Sequence, residues 1–116
     1  MVDNFAKIKK KRNIGIIMPE GEIVFENSNP HKEEVKSKIT EDEDIDKLIV
    51  DLGQVPYLDS SGVGYLISLL KFMRQGEGEL VLSNLDDKVQ RVIKLTKLED
   101  IIDIYESNEE AMEDLT

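Results

Sequence analysis

The stretch Leu58-Asp59-Ser60-Ser61-Gly62-Val63-Gly64 sets an acid, two adjacent hydroxyls and two glycines between a strand-like apolar run and a helix-like one. A hydroxyl beside a carboxylate admits three chemistries: it attacks as a nucleophile, it receives a group from another protein, or it caps a helix. Nucleophilic attack needs a base and an orienting acid. The chain has one histidine, His31, and no G-x-S-x-G elbow surrounds Ser60 or Ser61. His31 is expected at the surface. A phosphate-cradling loop of the G-x-x-x-x-G-K-[ST] kind needs a lysine that this stretch lacks. The carboxylates are scattered through solvated runs, with no His/Cys/Asp/Glu cluster at ligand spacing, so no metal is expected. The residues favour a chain that is not an enzyme.

The elements around the stretch explain why it matters. Lys47–Leu52, KLIVDL, is a short continuous apolar run, as expected of a central strand covered on both faces. After it, Val63, Leu66, Ile67, Leu70 and Met73 recur at helical spacing until Gly76 and Gly78. The stretch therefore joins the carboxyl end of a strand to the amino end of a helix, where open α/β sheets concentrate function. Unpaired N–H groups and the positive end of the helix dipole favour an anion there. Asp59, Ser60 or Ser61 would also serve as an ordinary cap, and spacing alone favours the cap over chemistry.

Elsewhere the pattern is of strands and helices in alternation. Alternation from Phe5 to Lys11, then Arg12-Asn13 and the run Ile14–Met18, predicts an antiparallel hairpin. Glu22–Phe25 is expected to return as a short strand, and Asn29-Pro30 to start a helix reaching about Ile39. ELVLSN supplies a strand, DDKVQRVIKL an amphipathic helix, DIIDIYES the last strand, and Ser107 with Glu110 a capping box for a terminal helix including Ala111 and Met112. The expectation is one α/β domain over residues 1–116, a mixed sheet of hairpin plus parallel strands with about four α-helices.

The chain has 116 residues, no cysteine and a formal net charge of −10. That charge argues against nucleic acid and against an anionic membrane, both of which need a cationic footprint. Lys7, Lys9, Lys10, Lys11 and Arg12 cluster early, but they alternate as the solvent side of a strand does. No apolar run reaches the length of a membrane span and no secretory signal is evident, so a cytoplasmic protein is expected. A monomer is the expected state.

The run VDLGQVPYLDSSGVGYLISLLKFM, followed by a glycine break and ELVLSNLDDKVQRVIKLTKLEDIIDIYES, resembles the STAS domain of the anti-sigma factor antagonist family. The resemblance implies a partner-switching regulator of a sigma factor that uses no cofactor. It makes Ser60 the phosphorylated residue, with Asp59, Ser61 and Gly62 as its surrounding motif. In such proteins the unphosphorylated form binds an anti-sigma factor that is also a serine kinase, phosphorylation ends the complex, and a PP2C-type phosphatase resets it. The surface expected to meet the partner includes Glu22, Val24 and Phe25 with Gly64, Tyr65 and Ser68. Val24 stands where many members carry an Asp, and Thr96-Lys97 where members often have Ser-Gly. Two other functions stay open on the sequence: a nucleotide or small-ligand-binding STAS domain, and a scaffold subunit of a stress-signalling assembly.

Overall fold

The computed structural model describes residues 6–116. Strand β1 (Ala6–Lys11) pairs antiparallel with β2 (Ile14–Pro19) across the turn at Arg12-Asn13. Phe5, expected to begin the first strand, lies outside the described residues. Strands β3 (Lys47–Asp51), β4 (Glu79–Ser83) and β5 (Ile104–Tyr105) add in parallel, giving the sheet order β1-β2-β3-β4-β5. The helices are α1 (Ser28–Glu41), α2 (Ser60–Gln75), α3 (Asp87–Leu95) and α4 (Asn108–Leu115). The mixed α/β sheet with four helices is the architecture expected from the sequence.

Alternation along the strands divides the apolar residues between two faces. Ala6, Ile17, Leu48, Val50, Leu80 and Leu82 point into the larger core, beneath α1, α2 and α3. Ile14, Ile49 and Val81 point the other way and meet Ala111 and Leu115 of α4. Strand β3 is buried on both sides, which explains its unbroken apolar run.

Helix starts follow local hydrogen-bond chemistry. Asp86 accepts from the Val89 N–H at 2.9 Å and Ser107 from the Glu110 N–H at 3.1 Å, so each caps the helix that follows. Helix α1 begins two residues before the expected Asn29-Pro30 start. The Asn27 side chain accepts from the Val24 N–H at 2.9 Å and donates to the Glu22 carbonyl at 2.8 Å, folding Glu22–Asn27 into a turn that launches the helix. Pro30 then sits within the first turn, where its missing N–H costs no helical bond. The same turn replaces the expected strand at Glu22–Phe25, of which one bridge, Ile23 to Leu58, remains. The expected last strand is also shorter: Leu98–Asp100 forms a 3₁₀ turn, and only Ile104–Tyr105 pairs with β4.

His31 is 1% exposed, contrary to its expected place at the surface. It stands four residues before Val35 and eight before Ile39, on the stripe of α1 that faces the core. Its ring meets that of Tyr65 edge-on, centroids 5.7 Å apart. Burial lowers the imidazole pKa below its usual 6.5, with the nearby Glu34 carboxylate pulling in the opposite direction. Glu34 in turn pairs with Lys38 at 3.5 Å.

A depressed imidazole pKa means that the unfolded chain binds the proton more tightly, so stability is complete above the unfolded value and lost as pH falls through the folded one. Urea denaturation at about pH 7.5 and about pH 5 will therefore show a loss of stability that His31→Phe lacks. Lys97, where helix α3 has ended, adopts a left-handed φ of 58° that suits glycine. Lys97→Gly is expected to raise stability by about 0.5–1 kcal/mol, read as a higher denaturation midpoint.

Candidate functional site

The polypeptide reaches the site at the carboxyl end of the parallel strands. After β3, Val55 and Leu58 turn inward to the core, and the chain runs beside the Gly21–Ile23 segment. The Gly21 N–H donates to the Gln54 carbonyl at 2.9 Å and the Ile23 N–H to the Tyr57 carbonyl at 3.1 Å. These bonds lay the segment before α1 across the start of α2.

Asp59 fastens the junction. Its Oδ1 accepts from the Ser61 N–H at 2.8 Å and the Gly62 N–H at 3.1 Å, capping α2. Its Oδ2 accepts from the Phe25 N–H at 3.2 Å. One carboxylate thus satisfies two N–H groups at the helix start and a third on the neighbouring loop. Asp59, rather than either serine, is the cap. Ser60, the first residue of α2, is exposed, while Ser61 is half-buried.

The two glycines of the motif differ in what they do. A Cβ on Gly62 would stand 2.5 Å from the Ile23 carbonyl oxygen and 2.6 Å from the Leu58 Cβ, so the loop lies against α2 only because Gly62 has no side chain. A Cβ on Gly64 would meet nothing within 4 Å. Gly64 is exposed, and its bareness serves no packing among the described residues.

Beside Ser61 and Gly64 a shallow cleft of about 260 Å³ opens between the amino ends of α1 and α2. Phe25, 77% exposed, forms one wall, and Ser28, Asn29 and Lys32 of α1 form another. The structure therefore brings Phe25, Ser61 and Gly64 to one surface, with the exposed Ser60 next to Ser61 at the start of α2. Glu22 is exposed and Val24 half-buried in the adjoining turn, and Ser68 is half-buried one turn beyond Gly64. Tyr65 departs from its expected role as a surface contact. It is 2% exposed, and burial drives its phenol pKa far up, because its ring fills the space between α2 and His31.

Lys32 was not among the residues singled out in the sequence. The signal was there: two helices that follow parallel strands of one sheet start at the same end of it, so a cation one turn into α1 comes near the start of α2. Among the described residues no group of three or more His, Cys, Asp or Glu side chains is placed to hold a metal ion. No helix among them is long and apolar enough to cross a membrane.

Removing single groups separates these roles. Asp59→Ala is expected to cost up to about 2 kcal/mol, the upper end for a lost cap, because a loop bond goes with it. Gly62→Ala is expected to cost about 1–3 kcal/mol through forced displacement of the loop. Gly64→Ala is expected to gain about 0.5–1 kcal/mol, since alanine suits a helix better and finds room. Denaturant midpoints of the three variants, measured together, check this ordering.

The fold and sequence are similar to those of known proteins. The STAS domain family model matches residues 5–111. A Thermotoga maritima protein provisionally named an anti-sigma factor antagonist is 31% identical over 103 residues, 89% of this chain and 90% of its own. The anti-sigma-B factor antagonist of Staphylococcus aureus is 32% identical over 80 residues, 69% of this chain and 73% of its own. The anti-sigma factor antagonist SpoIIAA, solved unphosphorylated, shares the fold with a TM-score of 0.78 at 19% identity, over 95% of each chain. With its capped Asp59 junction at the end of a mixed sheet, and with its match running over nearly all its length, this chain belongs to the STAS domain family.

Proposed function

We propose that this chain is an anti-sigma factor antagonist, a regulatory binding protein switched by phosphorylation at Ser60. The unphosphorylated form binds an anti-sigma factor that is also a serine kinase and so releases the sigma factor. The kinase phosphorylates Ser60, the complex parts, and a PP2C-type phosphatase restores the binding form. The observation that carries this reading is the division of labour at the junction. Asp59 takes the capping bonds, and Ser60 is left exposed at the first position of α2 with no part in the cap. The names of the Staphylococcus aureus and Thermotoga maritima relatives support it. SpoIIAA has been solved in a phosphorylated form as well, with a TM-score of 0.69 to this chain at 19% identity.

The physical chemistry suits a switch of this kind. A phosphoryl group on Ser60 adds about −1.5 to −2 charges beside the fixed Asp59 carboxylate. A charge of that size, left unpaired when a partner covers the surface, costs roughly 3–5 kcal/mol. Each 1.4 kcal/mol is tenfold in affinity, so binding falls by about two to three orders of magnitude. The neighbouring surface, Gly64 with Phe25 and the cleft above Tyr65, offers a bare helix stripe and an exposed ring to the partner. At about 260 Å³ the cleft is smaller than the ~300–1,000 Å³ usual for small-molecule sites, which favours a partner's side chain over a nucleotide.

Intact mass after incubation with ATP and the cognate anti-sigma kinase tests the proposal. The wild type is expected to gain one phosphoryl group, Ser61→Ala to gain it too, and Ser60→Ala to gain none. Absence of the addition from wild type, with the kinase active on another antagonist, would overturn it. Gly64→Leu provides a separate check on the docking surface: kinase affinity should fall at least tenfold while the denaturation midpoint does not fall.

A further inference from the structure

The face of the sheet opposite Ser60 is only partly covered. Helix α4 packs against Ile14, Ile49 and Val81; Ile16 of β2 borders that cluster, and Ile16 and Met18 remain only half-buried. Antiparallel register places Lys7 opposite Met18, Lys9 opposite Ile16 and Lys11 opposite Ile14, and side chains directly opposite in such a pair share a face. The uncovered strip is therefore apolar along β2 and cationic along β1. Lys7, Lys9 and Lys11 are exposed, and among the described residues the one ion pair they make joins Lys7 to Glu20 at 3.9 Å between two well-solvated side chains.

The adjoining half of the same face has the reverse charge. From Leu98 to Thr116 the chain carries eight carboxylate side chains and no lysine or arginine. On α4, Ala111 and Leu115 face the sheet, and Glu109, Glu110 and Glu113 are exposed. Within one molecule the two halves already touch at their border, where Lys11 and Arg12 share a groove with Met112 and Glu113.

A cationic half and an anionic half side by side on one face are self-complementary under a two-fold rotation. We infer that this face binds a second copy of the chain, with α4 of each copy lying across the Lys7/Lys9 and Ile16/Met18 strip of the other. The pairing is reversible, because the net charge of −10 on each copy opposes approach and only the local contact offsets it. It departs from the monomer expected on sequence alone. Since α1 and α2 lie on the other face, pairing leaves Ser60 accessible, and the inference does not rest on the proposed switch. Lysines on an edge strand also guard against strand-to-strand aggregation, and a guard predicts no pairing at all.

Sedimentation equilibrium over a concentration series, in about 0.1 M salt where only charges within about 10 Å interact strongly, tests the interface. Wild type is expected to rise from 13.2 kDa toward twice that mass. Lys7→Glu/Lys9→Glu and Glu109→Lys/Glu113→Lys should each lose the association, and circular dichroism checks that both are folded. An equimolar mixture of the two variants should recover it, because both contacts of the mixed pair are again between opposite charges. Wild type at 13.2 kDa throughout, association that survives either reversal, or failure of the mixture to recover would overturn the inference.

Discussion

The contact on which the site depends is the approach of the Ile23 carbonyl to the first turn of α2, at a distance that leaves no room for a Cβ on Gly62. Backbone polar groups this close to a helix start need partners. The Asp59 carboxylate provides them for Ser61, Gly62 and Phe25 together. Glycine permits the approach and aspartate holds it. Both sides of the junction, the loop before α1 and the loop after β3, are thereby fixed to one another, and the exposed residues they carry keep a defined relation. A surface built this way is already ordered before a partner arrives, which lowers the entropy cost of docking.

Sidedness follows from the sheet. Strands β2, β3, β4 and β5 run parallel, so the helices that follow them start at one end, and α1 and α2 lie together on one face. On the proposed reading, docking at Ser60 uses that end and that face. Helix α4 closes the other face only over the half nearer β4, tied by the Asn108 Nδ2 bond to Asp51 at 2.9 Å and the Lys47 bond to the Leu115 carbonyl at 2.8 Å. Asp51 also accepts from the Gly53 N–H at 2.9 Å, which links α4 to the loop leading toward Asp59. The two faces therefore differ in chemistry while sharing one frame.

Much of this was legible in residue order. Buried KLIVD, the helical spacing after Gly62, the aspartate and serine caps and the hairpin all express local periodicity and capping, and these survive into the structure. The errors have a common origin in contacts between distant residues or in the side-chain chemistry of a turn. Asn29-Pro30 is a good start signal, yet Asn27 wins because its amide can close a turn on Glu22 and Val24. His31 reads as polar until the stripe through Val35 and Ile39 is extended backward by one turn. Tyr65 lies between exposed Gly64 and buried Leu66, and only the packing of α1 onto α2 decides that it turns inward. Which glycine is needed by the fold and which is bare for other reasons is invisible in the string, since both are one letter.

The replacement at Val24 bears on how a phosphorylated Ser60 would be read. Val24 carries no charge, is half-buried and contributes its backbone groups to the Asn27 turn. The fixed anion beside Ser60 is therefore Asp59, and its oxygens are already engaged with the N–H groups that would otherwise stabilise a phosphate. A phosphoryl group on Ser60 cannot take those bonds without displacing the cap, which would cost about 0.5–2 kcal/mol. It is left facing solvent and the approaching partner. On the proposed reading the modification is thus felt at the interface and not in the fold: the cap that orders the surface also prevents the phosphate from being absorbed by it.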